Sequence, residues 1–308
     1  MKHTQLLLGA ASLLAVTLTP NHSHACACGC GVFEVGGSAM LPSGAGGMAF
    51  LEYDYQNQNR NWSGSSHADD ANNDDKKIET HFVTLGVQYM FNRSWGAQVE
   101  VPFANRTFDS AANAGSVNWS GLGDIRLKGI YTGFSEDLST GLTLGLKLPS
   151  GSYSHSDPLG DIDRDTQIGS GSTDLLVGGF HRGHLWRTDK WDWFAQAQLD
   201  LPVAKQGDYR PGMEVDAAVG VYYQGWTLHG VKISPVAQVI VSDRMSDGGT
   251  EAAPDDSGYQ RVLLSPGVEF NFHPVKVYAD VELPVYEHVN GNQLVAPALF
   301  KVVVSYMF

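Results

Sequence analysis

Three cysteines, Cys26, Cys28 and Cys30, alternate with Ala27 and Gly29 near the start of the chain, and the sequence contains no others. Alternate thiolates with small spacers can wrap a soft ion such as Cu(I). The paired C-x-x-C spacing of a zinc site is missing. Read structurally, the same run is a tether, with a strained disulfide and one thiol left over, or a link to another chain. Acidic side chains form a second reservoir of ligands: Asp69, Asp70, Asp74 and Asp75, then Asp157, Asp161, Asp163 and Asp165, then Glu251, Asp255 and Asp256. Oxygen clusters can take Ca²⁺, but Asp161-Ile162-Asp163-Arg164-Asp165 lacks the length and closing Glu of an EF-hand loop. Solvated loops are the simpler reading. A third set, Glu100, Asp124, Lys147, Asp174, Asp200, Asp216, Arg261 and Glu282, is spread along the chain. Its meaning depends on what carries it.

The carriers are strands. In the last residues Phe300, Val302, Val304, Tyr306 and Phe308 share one parity, and Lys301 and Ser305 share the other. That is period two with one apolar face. The pattern recurs upstream. Val83, Leu85, Val87 and Tyr89 form one such face, and Trp95, Val99, Val101 and Phe103 the next. Leu142, Leu144 and Leu146 oppose Thr143 and Lys147, and Trp191, Trp193, Leu199 and Leu201 oppose Asp192, Gln198 and Asp200. About twelve segments read this way. Their apolar parity carries no Asp, Glu, Lys or Arg, while the other parity carries twelve acidic and seven basic residues.

An apolar strand with an open edge invites aggregation, and in lipid only a closed barrel pairs every backbone group of a strand. Charge on a lipid face is expensive, so a parity free of it is what a bilayer enforces. The expected fold is all-β, a transmembrane antiparallel up-and-down barrel of about twelve strands over residues 47–308. Short connections near 92, 135, 186, 227 and 274 alternate with mostly longer ones, as inner turns and outer loops do. Trp95, Tyr131, Trp191, Trp193, Tyr223, Trp226 and Phe272 gather near the short turns, where an interfacial girdle belongs. Pro102, Pro149, Pro202 and Pro284 follow rising strands and are expected to mark where pairing stops.

The N-terminus fits this location. Lys2, the apolar run Leu6 to Leu18 and small residues at Ser23 and Ala25 form a secretory signal peptide over 1–25, cut after Ala25. Residues 26–46 then read as a Cys/Gly-rich arm that lies in the periplasm or folds into the lumen. With 35 glycines and only 17% charged residues the chain suits β structure, and a net charge of −13 excludes nucleic acid as a partner. Hydrolysis of a lipid ester would need a nucleophile beside a base. His181 lies on the apolar parity with no neighbouring serine, and His81 is read on the opposite parity. No enzyme is expected.

Three Gly-rich motifs add a family. Gly121-Leu122-Gly123-Asp124, Leu146-Lys147-Leu148-Pro149-Ser150-Gly151 and Gly169-Ser170-Gly171-Ser172-Thr173-Asp174 together resemble the outer-membrane transporter family associated with the meta-pathway of phenol degradation. The resemblance runs from about residue 80 to the C-terminus. It implies a barrel that passes small, often hydrophobic or aromatic, compounds; the tricysteine arm departs from the family pattern.

The expected function is therefore passive passage of a small solute across the bacterial outer membrane. Glu100, Asp124, Lys147, Asp174, Asp200, Asp216, Arg261 and Glu282 line the lumen. They form either a cation-favouring constriction or cross-strand ion pairs that fill a narrow barrel. The alternative is a non-conducting scaffold whose Cys26, Cys28 and Cys30 bind a soft metal or a periplasmic partner. No other cofactor is expected. Further expected partners are outer-membrane lipid, lipopolysaccharide, and the barrel-assembly machinery, which would read the terminal Phe308.

Overall fold

Alternating side chains let each strand face hydrocarbon on one side and a filled interior on the other. The computed structural model describes residues 35–36, 41–42, 44–111, 115–157, 160–185 and 190–308. Residues 1–25, expected to be a signal peptide, and Cys26, Cys28 and Cys30 lie outside the described residues. Twelve strands form the barrel among those described. They are β1 (Gly46–Gln58), β2 (Lys77–Met90), β3 (Trp95–Asp109), β4 in two pieces (Val117–Leu122 and Arg126–Tyr131), β5 (Thr140–Lys147) and β6 (Ser172–His184). Then come β7 (Trp191–Lys205), β8 (Glu214–Tyr223), β9 (Val231–Arg244), β10 (Tyr259–Phe272), β11 (Val275–Val295) and β12 (Leu299–Met307). Every strand pairs antiparallel with its sequence neighbours.

β12 closes the ring on β1, from Met48 opposite Met307 to Gln56 opposite Leu299. At the seam Gly47 N donates to Phe308 O at 2.7 Å, and Phe308 N donates back to Gly47 O at 2.9 Å. A Cβ at Gly47 would stand 2.3 Å from the Phe308 ring, so only glycine lets the last aromatic lie flat against the first strand.

The parity is as expected through the middle of the wall. Leu85, Leu144, Val219, Val239 and Val304 are exposed on the outside, while Glu52, Lys128, Gln198 and Lys301 are buried inside. Rings pack around the short-turn end: Trp95 on Tyr131 at 4.7 Å, Trp191 on Tyr223 at 5.0 Å and Tyr223 on Trp226 at 5.7 Å. Two features differ from the sequence reading. Several strands run further outward than their apolar runs, so the outer parity acquires Glu79 and His81 on β2 and Asp243 on β9 at the rim. His81 faces outward with Val83 and Leu85, because residues of one parity share one side; the Tyr53 hydroxyl lies 2.8 Å from its Nδ1.

The prolines also behave differently. Only Pro149 follows a strand end; Pro102, Pro202 and Pro284 sit inside β3, β7 and β11. Pro202 and Pro284 lie beside register shifts, at Thr173/Asp174 and Val262/Leu263. Pro102 lies opposite the break that splits β4, and its carbonyl accepts from Gly123 N at 2.8 Å. The missing donor is absorbed by a local irregularity, so pairing continues past it.

Hydrocarbon contact sets a depth-dependent penalty. Leu144→Arg, on the exposed face of β5, should lower stability by about 2–4 kcal/mol, and Leu228→Arg beside a short turn by about 0–1 kcal/mol. Urea titration of protein folded into lipid vesicles measures both.

Candidate functional site

The lumen is built in two layers. Toward the short-turn end apolar side chains gather beside a buried network in which Gln238, Ser265 and Tyr278 donate to Asp280. Phe50, Phe194, Ile240, Leu263 and Val303 form a buried cluster, and Val35 from the N-terminal arm belongs to it. Leu41 packs against this cluster and against Met90, Ile130, Leu138 and Phe180. Val35 and Leu41 thus lie inside the barrel, where the Lys301 ammonium donates to the Val35 carbonyl at 3.4 Å. Alternation already puts Phe50, Phe194 and Ile240 on the lumen parity, with Glu52, Asp192 and Gln238; what it does not show is that they gather into one cluster.

Toward the outer end the lumen is charged, and the charges meet in pairs. Glu100 takes Lys128 at 3.3 Å and Arg126 at 3.8 Å. Lys147 bridges Asp174 and Asp200, the latter at 2.7 Å. Arg261 meets Glu287 at 2.9 Å, and Lys301 meets Glu52 at 3.8 Å. Asp216 accepts from the Ser242 hydroxyl at 2.5 Å, while Glu282 is fully buried. Of the eight residues singled out in the sequence, Glu100, Asp124, Lys147 and Asp200 line a cavity of about 190 Å³. Asp174, Asp216, Arg261 and Glu282 are packed elsewhere in the interior.

Asp124 does something the strand pattern does not indicate. Its Oδ1 accepts from Gly151 N at 2.9 Å, and its Oδ2 accepts from Ser170 N at 2.7 Å and Ser170 Oγ at 2.6 Å. Ser150 Oγ adds a bond to Gly123 O at 3.0 Å and receives one from Ile125 N at 2.8 Å. The three Gly-rich motifs therefore converge on one carboxylate. A Cβ at Gly169 would stand 2.3 Å from the Gly151 carbonyl carbon, so the two loop backbones touch where only glycine fits. This clasp folds the segment between β5 and β6 into the barrel mouth.

That segment caps the cavity. Arg106, buried on β3, donates from Nε to Thr80 Oγ1 at 3.0 Å and from a terminal nitrogen to Thr166 O at 2.5 Å and Gln167 O at 3.2 Å. Phe50, Phe82, Pro102, Ala104 and Ile168 supply apolar lining, and Glu100, Arg126, Lys147 and Asp200 supply charged lining. Arg164, Asp165, Gln167 and Tyr209 close its outer side. Sequence reading placed Asp163, Arg164 and Asp165 in a solvated acidic loop, but Asp165 is turned into the mouth. Burial, then the neighbouring Asp163 and Asp247 carboxylates, push its pKa up to about 7. Arg106 was legible in principle: it shares parity with Glu100, but only if β3 is carried past Pro102. Among the described residues no cluster of metal-ligating side chains forms.

Two consequences are measurable. Asp124→Ala leaves buried donors at Gly151 and Ser170 unpaired, which should destabilise the fold by roughly 2–4 kcal/mol. Gly169→Ala should loosen the same clasp, and both variants should speed amide exchange across 148–171. For Asp165, a folded-state pKa near 7 against an ordinary 3.8 means the folded protein holds the proton more tightly. Stability contributed by this group should fall as pH rises from about 4 to 7 and level off above, and Asp165→Asn should abolish that trend. Intrinsic-rate-corrected exchange of the 148–171 amides between pH 5 and pH 8 reads it.

The comparisons with known proteins agree with this architecture. The COG4313 outer membrane channel from Pseudomonas putida F1 superposes with a TM-score of 0.67 at 13% identity, covering 89% of this chain and 100% of that one. The β domain of the Bordetella autotransporter BrkA superposes with a TM-score of 0.50 at 15% identity, covering 86% and 100%. At such identities the likeness concerns the fold, a bacterial outer-membrane barrel. No curated protein matches the sequence. The family model described as "Putative MetA-pathway of phenol degradation" matches residues 63–285, so clasp, cap and most of the wall lie within it, and the chain belongs to that family.

Proposed function

We propose that the barrel is a passive channel for a small solute built on a single ring with one polar group. The observation that carries this reading is the cavity beneath the cap. Its volume is about 190 Å³. A dry cavity of about 150 Å³ lined by aliphatic and aromatic groups is enough to hold benzene. Here apolar side chains and paired charges share the lining, which suits a ring with a hydrogen-bonding substituent better than a pure hydrocarbon. Family membership supports the same class, since the family's description names phenol degradation. Passage runs down a gradient, because the sequence offers no energy-coupling motif.

Filled ends favour a second reading, a closed scaffold. Val35 and Leu41 occupy the inner half, and the loop held by Arg106 occupies the outer mouth. In the channel reading this is the resting state. Hydrolysis is not part of the proposal. Ser65 Oγ and His288 Nδ1 are 2.8 Å apart on the outer surface, but among the described residues no carboxylate orients that imidazole. We assign Phe308 to recognition by the barrel-assembly machinery, the acidic outer loops to lipopolysaccharide through shared divalent cations, and the three cysteines to a soft metal ion or a periplasmic partner.

Calorimetric titration of phenol into the folded protein should show saturable binding, and Ala104→Phe, which fills the cavity, should abolish it. In planar bilayers phenol should modulate the ion current of the wild-type protein and not of Ala104→Phe. Absence of binding together with a flat current trace, even after deletion of residues 26–42, would leave the scaffold reading in its place.

A further inference from the structure

A second cavity of about 510 Å³ opens above the first, lined by Tyr153, His155, Ile162 and Ala252 among others. The two cavities share Arg164, Asp165, Gln167 and Tyr209. That layer is the partition a solute must cross.

Its backbone is pinned. Arg106 holds two of its carbonyls from below. The Gln167 side-chain amide donates to Ile162 O at 2.8 Å and to His155 O at 2.9 Å, while its oxygen accepts from His155 N at 2.9 Å. Tyr209 is fixed by its hydroxyl, which donates to Asp247 at 2.7 Å. Arg164 is held otherwise, by contacts along a long, rotatable side chain. Its guanidinium carbon lies 4.5 Å from the Tyr153 ring centre and 5.0 Å from that of Tyr209. Its terminal nitrogens donate to Tyr153 O at 3.1 Å and Ser170 O at 3.3 Å. Among the described residues the Nε–H has no acceptor within hydrogen-bond reach, and a carboxylate oxygen of Glu251 is 3.9 Å away.

We propose that Arg164 is the outer gate of the channel and that its seat between Tyr153 and Tyr209 selects solutes bearing an aromatic ring. This rests on the passage reading above. With the loop backbone fixed, the gate opens by rotating one side chain toward Glu251. An incoming ring stacks on the tyrosine face that the guanidinium leaves, so the aromatic contact is exchanged instead of lost. A hydroxyl or carbonyl oxygen on that ring also supplies the acceptor that Nε–H lacks. An aliphatic alcohol of equal size supplies the acceptor but no face.

The test uses the processed full-length protein in planar bilayers, with heat-modifiable gel mobility confirming that each variant is folded. Phenol and cyclohexanol are the probes. Arg164→Ala should raise ion conductance about fivefold, the equivalent of losing two weak cation–π contacts. Wild-type protein should respond to phenol at about fivefold lower concentration than to cyclohexanol, and the variant should lose that preference. Arg164→Lys keeps the charge without the flat stacking surface, so its preference should also fall. If wild-type current responds to phenol while both variants keep wild-type conductance and preference, the gate assignment is wrong and passage stands. If wild-type protein neither binds phenol nor conducts, the passage reading fails and takes the gate with it.

Discussion

Hydrocarbon offers no partner to a backbone N–H or C=O, and this single fact governs the molecule. A sheet in that medium must close, and here β12 meets β1 through the Gly47–Phe308 exchange of hydrogen bonds. Closure forces each strand to present one parity to lipid and the other to a lumen. It also leaves that lumen to be filled, because twelve strands enclose more space than their own small side chains occupy. What fills it decides whether anything passes.

Two kinds of filling meet inside. The inner half uses apolar packing, supplied partly by Val35 and Leu41 from outside the strand set. The outer half uses opposite charges, with Lys147 between Asp174 and Asp200 and with Glu100 beside Lys128 and Arg126. Removing charge from water is unfavourable unless it is paired and hydrogen-bonded. The pairs therefore act as fixed wall material, and selectivity falls to groups that are less firmly held. Arg164 is such a group, since it leans on rings and carbonyls and its carboxylate neighbour is distant.

Strand count, closure, sidedness and the aromatic girdle were all legible, because each follows from side chains alternating at period two. Sidedness failed only at the rim. His81 was read on the opposite parity, although its odd number, shared with Val83, puts it outside. Strand ends were misjudged at Pro102, Pro202 and Pro284 because a bulge or a break in the neighbouring strand is a property of two strands, invisible in one. The Gly-rich motifs stood out as motifs, yet their meeting at Asp124 depends on how a long loop folds back. The apolar inner layer was legible only in part. Parity puts Phe50 and Ile240 inside with Glu52 and Gln238, but their meeting across the bore is a property of several strands at once.

The bulges beside Pro202 and Pro284 and the break opposite Pro102 divide the barrel by stiffness. Below them each ladder keeps a single register, and the wall is a collar set by the membrane. Above them the strand extensions, the Asp124 clasp and the Arg106 anchor hold one another through a few specific bonds. Such a rim can breathe without straining the collar, so the part that meets the outside world and the part that meets the lipid are free to change separately over evolutionary time.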